Sequence, residues 1–159
     1  MFIRLNIQLN LKGGNMGKVI EFQILIAKTR KSFLRVVNDA VKDEVLTSTH
    51  GMYILALNDK EMTKSEMTEV LGFDKGNTTR VVNELERFGY LSRKEGPKSN
   101  ANLYYLTEKG RVSADKIEKA LTSNLKDVTQ GIPEEHCKIF RDVYLKIIQN
   151  IDNCIKRKE

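Results

Sequence analysis

Residues 62–89 read MTKSEMTEVLGFDKGNTTRVVNELERFG and contain the strongest helix signals of the chain. Thr63 and Glu66 form the T-x-x-E pattern of a capping box, and methionines stand at both hydrophobic-staple positions around it. Gly72 ends that helix, and Asp74 caps the next helix after a turn of about three or four residues. Two helices joined by a short turn that contains glycine are typical of a helix-turn-helix.

A β-hairpin is predicted directly after these two helices. Gly89 closes the second helix, and the segments 91–95 and 102–106 that follow are short and aromatic or alternating. The polar residues 96–101, which include Gly96 and Pro97, form the turn between them. Helix, turn, helix and hairpin is the order of a winged helix.

Long helices are predicted on both sides of this unit. Apolar residues recur at helical spacing from about Gly17 to Glu44, Thr47 caps a short helix, and two further helices follow the hairpin, the second opened by Pro133. We therefore expect a mainly α fold with a small β-hairpin wing. A winged helix-turn-helix domain covers residues 46–111, and long N- and C-terminal helices at 17–45 and 112–159 form a dimerisation region.

The first 16 residues are a separate N-terminal extension. Residues 2–11 alternate like a strand that has no obvious partner. The codons of Lys12, Gly13 and Gly14 can spell a purine-rich ribosome-binding sequence upstream of an ATG. We therefore hypothesise that translation starts at Met16, and N-terminal sequencing of the native protein would test this.

Composition favours one main core and a polyanionic partner. The chain has 159 residues, a formal charge of +6 and a pI near 9.3. No run of apolar residues is long enough to span a membrane and no export signal opens the chain, so a cytoplasmic protein without a membrane partner is expected. Cys137 and Cys154 lie far apart on one predicted helix, and we expect both to be small buried residues.

The second helix of the helix-turn-helix has a face suited to DNA. A rotation of 100° per residue places an apolar set, with Thr78, on the inner face and polar residues on the outer face. Arginine pairs with guanine, asparagine with adenine, and threonine with a base edge or a thymine methyl group. The candidate DNA-binding residues on this helix are Lys75, Gly76, Asn77, Thr79, Arg80, Asn83 and Arg87. Glu84 and Glu86 are expected at the sides of this face, or to exclude wrong placements by repulsion.

Two other segments add candidate contacts to double-stranded DNA. Ser65 and the free N–H groups at the start of its helix are suited to hold a phosphate. Arg93, Lys94 and Lys98 place positive charge on the hairpin, where Arg93 and Lys98 are candidate contacts to the minor groove or the DNA backbone.

The segment from Leu46 to about Ile117 resembles the MarR family of bacterial regulators. The matching stretches are Leu46-Thr47, Ile54-Leu55, Thr63-x-x-Glu66-Met67, Leu71-Gly72-Phe73-Asp74-Lys75, Thr79 to Glu86, Gly89-Tyr90-Leu91 and Leu106-Thr107-Glu108-Lys109-Gly110-Arg111. The resemblance implies a homodimeric transcriptional regulator. The sequence departs from the family at the wing tip. The family often has an Asp and an Arg there, and this chain has Lys98 and Asn100 at the corresponding positions.

The outer helices carry the predicted interface between two subunits. The last helix has a broad apolar stripe, which is too large to leave exposed to water. The candidate interface residues are Ile20, Phe33, Phe140, Ile147 and Ile151. A symmetric dimer places two DNA-reading helices about 34 Å apart and predicts a pseudo-palindromic operator.

The resemblance also implies a small effector, aromatic or anionic, bound between the dimerisation helices and the winged helix, as in a ligand-responsive repressor. His50 and Tyr53 are candidate pocket residues, but we favour core packing for Tyr53 and solvation for His50. No cofactor or metal is expected. The absence of a nucleophile motif or a phosphate-binding glycine loop argues against an enzyme. A winged helix used as a protein-interaction module is the remaining alternative.

Overall fold

A computed structural model of the chain describes residues 14–42, 44–96 and 102–157, with backbone alone described at 14–21, 125 and 126. The described part contains six helices and a two-stranded hairpin. In chain order these are α1 (Gly14–Ala40), α2 (Ser48–Ala56), α3 (Lys64–Leu71), α4 (Lys75–Arg87), β1 (Leu91–Glu95), β2 (Asn102–Leu106), α5 (Glu108–Val128) and α6 (Glu134–Lys156). The mainly α fold with a β-hairpin wing is confirmed.

Helix ends follow local sequence signals. The Thr63 hydroxyl accepts from Glu66 N while the Glu66 carboxylate accepts from Thr63 N, so the predicted capping box is formed. Gly72 ends α3 in the left-handed conformation with φ of 65°, which a residue without Cβ adopts at little cost. The Asp74 carboxylate caps α4 by accepting from Asn77 N at 2.8 Å.

A Schellman motif ends α4 and leads the chain into the hairpin. Tyr90 N donates to Leu85 O and Gly89 N donates to Glu86 O, with Gly89 at φ of 78°. The two strands then pair antiparallel from Leu91 opposite Leu106 to Glu95 opposite Asn102, with the bounds that the sequence predicts. Met62 and Tyr104 add a β-bridge that the sequence did not predict, since they exchange backbone hydrogen bonds of 3.1 and 2.9 Å.

One hydrophobic core supports the helix-turn-helix. Buried side chains from the end of α1, from α2 to α4, from the hairpin and from the first half of α5 form one cluster. Its largest fully buried members include Tyr53, Ile54, Met67, Leu85 and Ile117. Burial of a residue of this size stabilises the fold by about 1.5–3 kcal/mol, so this cluster holds α4 on its supporting helices.

The first long helix ends earlier than predicted. We expected it to reach Glu44, but α1 ends at Ala40 and the chain turns. The turn lets the Glu44 carboxylate accept a hydrogen bond of 2.7 Å from the Ser113 hydroxyl of α5. Val41 and Leu46 on either side of the turn are both buried.

The chain divides into two compact units. The first reaches Thr122 and contains the core just described, and the second runs from Ser123 to Glu159. In the second unit, Gly131 has a φ of 79° between α5 and α6, at the predicted end of α5, and Pro133 precedes α6 as predicted. The N-terminal strand pattern at 2–11 lies outside the described residues.

Candidate nucleic-acid interface

The α4 helix presents a buried face and a polar exposed face, as its sequence predicts. Thr78, Val81, Val82 and Leu85 are buried. The exposed residues of the candidate set are Lys75, Gly76, Thr79, Arg80, Asn83 and Arg87, while Asn77 is half-buried. Because the inner face is fixed in the core, the outer side chains project from a rigid support.

A polar contact fixes α4 against both helices beneath it. The Thr78 hydroxyl lies 3.0 Å from the Tyr53 hydroxyl of α2 and 3.0 Å from the Thr68 hydroxyl of α3. Buried polar groups that are all hydrogen-bonded specify one packing arrangement, since any shift would leave a hydroxyl without a partner. Burial raises the pKa of the Tyr53 hydroxyl, so it stays neutral and can donate.

Arg80 is held on the outer face by its neighbours along α4. Its Nη1 donates to the two carboxylate oxygens of Glu84 at 3.2 and 3.0 Å, and its Nη2 donates to Asn77 Oδ1 at 2.9 Å. The side chain is nevertheless 59% exposed, so the guanidinium is accessible from solvent.

Glu84 connects Arg80 to the core of the protein. Its Oε2 lies 3.0 Å from His50 Nε2 on α2, and the side chain is 26% exposed. The hydrogen bond from His50 is the largest cause of a pKa for Glu84 below its usual value, and Arg80 lowers the pKa further. Glu84 is therefore ionised at neutral pH and bonded on both sides.

His50 and Tyr53, the candidate pocket residues, are both core residues. Tyr53 is fully buried, as predicted, whereas our preference for a solvated His50 is wrong, because only 6% of His50 is exposed. The His50 ring is bonded to Thr47 N on one side and to Glu84 on the other, which compensates its burial. The sequence did not reveal this because His50 and Glu84 lie 34 residues apart.

Lys64 belongs to the same surface and was missed by the sequence analysis. Its Nζ donates to Asn83 Oδ1 at 2.8 Å and lies 5.4 Å from the centre of the Tyr104 ring. The signal was present, since a lysine directly after the Thr63 cap stands in the first turn of the first helix of the helix-turn-helix. Ser65, the predicted phosphate contact beside it, is exposed.

The end of α4 and the hairpin carry further positive charge. The Arg87 guanidinium stacks over the Phe88 ring at 4.9 Å. On β1, Arg93 pairs with Glu86 at 3.2 Å and Lys94 pairs with Glu61 at 2.7 Å, and both basic side chains are more than half exposed. Glu86 thus lies beside the hairpin. Lys98, the predicted wing-tip contact, lies outside the described residues.

The outer helices leave apolar side chains exposed in the single chain. Seven large hydrophobic residues of α6 are at least 42% exposed, namely Ile139, Phe140, Val143, Leu145, Ile148, Ile151 and Ile155. Ile147 is half-buried and Phe33 of α1 is 43% exposed. At Ile20 the structure describes the backbone alone. The expected burial of both cysteines is wrong in the single chain, where Cys137 is half-buried and Cys154 is exposed.

Within the described residues, no helix is long and apolar enough to cross a membrane, and no three His, Cys, Asp or Glu side chains are grouped to hold a metal ion. The exposed side chains of α4 are those of lysine, arginine, asparagine and threonine residues. A helix-turn-helix with an exposed, basic second helix and an adjacent hairpin defines a winged helix-turn-helix protein.

Solved structures share this fold. A putative MarR-family transcriptional regulator from Listeria monocytogenes, complexed with a 26-mer DNA, is 19% identical with a TM-score of 0.73, over 79% of this chain and 85% of that one. A cysteine-to-serine mutant of MarR from Escherichia coli, complexed with operator DNA, is 19% identical with a TM-score of 0.66, over 85% of this chain and 99% of that one. The chain therefore has the fold of the MarR-family regulators, which confirms the resemblance drawn from its sequence.

Sequence comparison agrees with the fold. The uncharacterized HTH-type transcriptional regulator YdgJ of Bacillus subtilis is 27% identical over 94 residues, which are 58% of this chain and 57% of that protein. The match thus spans little more than half the length of this relative. No family model matches the sequence. The relatives and neighbours named here are transcriptional regulators, a non-enzymatic class, in agreement with the expectation that the chain is not an enzyme.

Proposed function

We propose that the chain is a sequence-specific DNA-binding transcriptional regulator that reads double-stranded DNA with α4. The observation that carries this proposal is the outer face of α4, where Arg80, Asn83 and Arg87 are exposed on a helix whose inner face is buried. Arginine and asparagine make the bidentate contacts that distinguish guanine and adenine in the major groove. Lys75, Gly76, Asn77 and Thr79 extend this face toward the start of the helix.

Two flanking segments would hold the DNA backbone. Arg93 on β1 and Ser65 on α3 are exposed on either side of α4 in the chain, and Lys98 follows β1 in the sequence. Their contacts would go to phosphates, which position a protein without reading sequence. Lys64 joins this set, because its ammonium group lies within hydrogen-bonding distance of Asn83.

A protein-interaction module is the alternative function. Hot spots of protein interfaces are enriched in aromatic residues, and charged residues are depleted at the interface core. The exposed residues at positions 75–87 of α4 contain neither an aromatic nor a large aliphatic side chain. This composition favours DNA as the partner.

We further propose that the protein acts as a homodimer, for which the exposed apolar stripe of α6 provides the main support. No residue of α6 is buried in the single chain, although its apolar side chains recur at helical spacing. A surface of this kind is normally covered by a partner. The proposed interface uses Ile20, Phe33, Phe140, Ile147 and Ile151, and a symmetric pair of α4 helices would read a pseudo-palindromic operator.

We also propose that the protein is a repressor that responds to a small aromatic or anionic effector. A groove along α1 supports an anionic ligand, since Arg30, Lys31 and Arg35 line it together with Ser48 at the start of α2. His50 and Tyr53 do not line this groove, and their polar atoms are bonded within the core.

DNA selection tests the proposed function. Genomic fragments bound by the wild type should share a two-fold symmetric site, and Arg80→Ala should lose about 1–3 kcal/mol of discrimination at one base pair of each half-site. Arg93→Ala should mainly reduce the slope of log affinity against log salt concentration, by about 0.9 for each phosphate that the protein no longer neutralises.

Lys138→Ala is the matched control, because it removes one positive charge from α6, where Lys138 pairs only with Glu134 among the ion pairs of the described residues. It should leave the sequence preference intact. Weak binding that is indifferent to sequence and to Arg80 would contradict the proposal and favour the protein-interaction module.

Sedimentation tests the dimer. The wild type should sediment as a dimer and Ile151→Asp should shift it toward the monomer, since a charge would replace an apolar side chain at the interface. Val70→Asp is the control, because Val70 is 59% exposed but lies on α3, outside the proposed interface helices. A wild-type monomer at micromolar concentration would contradict the homodimer.

A further inference from the structure

The guanidinium of Arg80 is oriented before any DNA is bound. Contacts to Glu84 on one side and Asn77 on the other fix both of its terminal nitrogens, although more than half of the side chain is exposed. A guanidinium has five N–H donors, and these contacts leave Nε and part of Nη2 available for a base edge. An exposed arginine that is already fixed loses less rotamer freedom when it binds.

Glu84 is itself fixed by His50. The Oε2 atom that accepts from Arg80 also lies 3.0 Å from His50 Nε2. Thr47 N donates to His50 Nδ1 at 3.0 Å, which requires an unprotonated Nδ1. The ring hydrogen of the neutral imidazole is then on Nε2, from where it is donated to Glu84.

The chain of contacts from Thr47 to Arg80 is anchored in the core at the histidine. His50 is 6% exposed and its ring lies edge-on to Phe88 at 6.0 Å. The carboxylate of Glu84 therefore has a fixed position relative to α2, and not only relative to its own helix. Glu86, two residues further along α4, pairs instead with Arg93, an exposed residue of the hairpin.

We propose that Glu84, held by His50, is a positioning residue that orients the Arg80 guanidinium for base recognition and so sets part of the DNA sequence specificity. The inference rests on the proposed function, because it assigns to Glu84 and His50 a role in how α4 reads DNA. It differs from the expectation that Glu84 acts by repulsion. A negative charge near DNA lowers the overall affinity. The carboxylate of Glu84 instead increases discrimination between DNA sequences, because it orients Arg80.

The test compares Glu84→Ala with Glu86→Ala. Each change removes one carboxylate from α4 and releases one arginine, Arg80 in the first case and Arg93 in the second. The measured quantity is the ratio of affinities for the selected site and for a scrambled duplex at one salt concentration. Thermal unfolding of every variant, followed by circular dichroism, reports whether it is folded.

Glu84→Ala should lower this ratio about tenfold, a loss within the range of one good base contact. Selection with this variant should lose preference at the same base pairs that Arg80→Ala loses. The double variant Arg80→Ala/Glu84→Ala should lose no more than Arg80→Ala alone, because Glu84 acts through Arg80. Glu86→Ala should keep the ratio within about twofold, the usual range for sites that do not interact.

His50→Gln adds a variant without a change in formal charge, and it should lower the ratio in the same direction as Glu84→Ala. If Glu84→Ala keeps the wild-type ratio while Arg80→Ala loses it, the positioning role is wrong and the proposed function stands. If the wild type itself binds both duplexes equally, the proposed function fails and the positioning role fails with it.

Discussion

Gly110 stands in the L-T-E-K-G-R stretch, and its replacement by alanine tests the packing between α5 and the end of α4. Gly110 is buried in the first turn of α5, where its N–H donates to the Thr107 hydroxyl at 3.1 Å. A Cβ at this position would lie inside the contact distance of the Tyr90 carbonyl oxygen and 3.1 Å from a Leu106 methyl group. The nearest obstacle is therefore backbone, which cannot rotate away as a long side chain can.

Gly110→Ala should destabilise the protein, whereas a glycine-to-alanine change inside a helix ordinarily stabilises it. In a helix, alanine is more stable than glycine by about 0.8–1 kcal/mol. Here the Tyr90 carbonyl already accepts from Thr107 N at 3.1 Å and from the Thr107 hydroxyl at 3.2 Å, so displacing it strains both hydrogen bonds. Overpacking costs about 1–3 kcal/mol and each strained hydrogen bond about 1 kcal/mol. After subtraction of the helix preference of about 1 kcal/mol, we expect Gly110→Ala to lower the free energy of unfolding by about 2–4 kcal/mol.

Urea denaturation followed by circular dichroism measures this change. Lys119→Ala and Lys119→Gly provide the control, because Lys119 is exposed on α5 and reports the ordinary preference. The alanine variant should be more stable than the glycine variant by about 1 kcal/mol. If Gly110→Ala is as stable as the wild type or more stable, the close approach of α5 to Tyr90 is wrong.

Three further changes test the local signals and the charges. Thr63→Ala should lower the free energy of unfolding by about 1 kcal/mol, because it removes the hydroxyl that caps α3; thermal unfolding checks this, and an unchanged transition would contradict it. Gly89→Ala should lower the free energy of unfolding by about 1–2 kcal/mol, because φ is 78° there. Gly76→Ala in the first turn of α4 should change stability less, and urea midpoints that rank the two in reverse order would refute this. Burial raises the pKa of the Glu44 carboxyl, but hydrogen bonds from Ser113 and Tyr90 and the charge of Lys116 lower it more, so the pKa lies below its usual value. Its interactions therefore stabilise the fold above about pH 4.5 and are lost as pH falls through the lower folded-state pKa, so Glu44→Gln should reduce the acid dependence of unfolding; the same pH profile as the wild type would contradict this.

Sequence alone determined the elements whose signals are local. The strands at 91–95 and 102–106, the caps at Thr47, Thr63 and Asp74, and the two faces of α4 agree with the structure. Each of these depends on residues within a few positions of one another, which periodicity and capping patterns record directly. The outer face of α4, and with it most of the candidate DNA-binding residues, could therefore be predicted from the chain.

Contacts between residues far apart in the chain could not be predicted from sequence patterns. His50 is buried and bonds Glu84 of α4, and the bridge between Met62 and Tyr104 joins segments on either side of α4 in the chain. The first helix, α1, ends at Ala40, where the chain turns and brings Glu44 to Ser113. Periodicity assigns a residue to a face of its own helix, but it does not say which side chain from another element lies opposite. The orientation of Arg80 therefore follows from packing between α2 and α4. Glu84, which contacts Arg80, is held by His50 of α2, and the sequence had indicated a solvated His50.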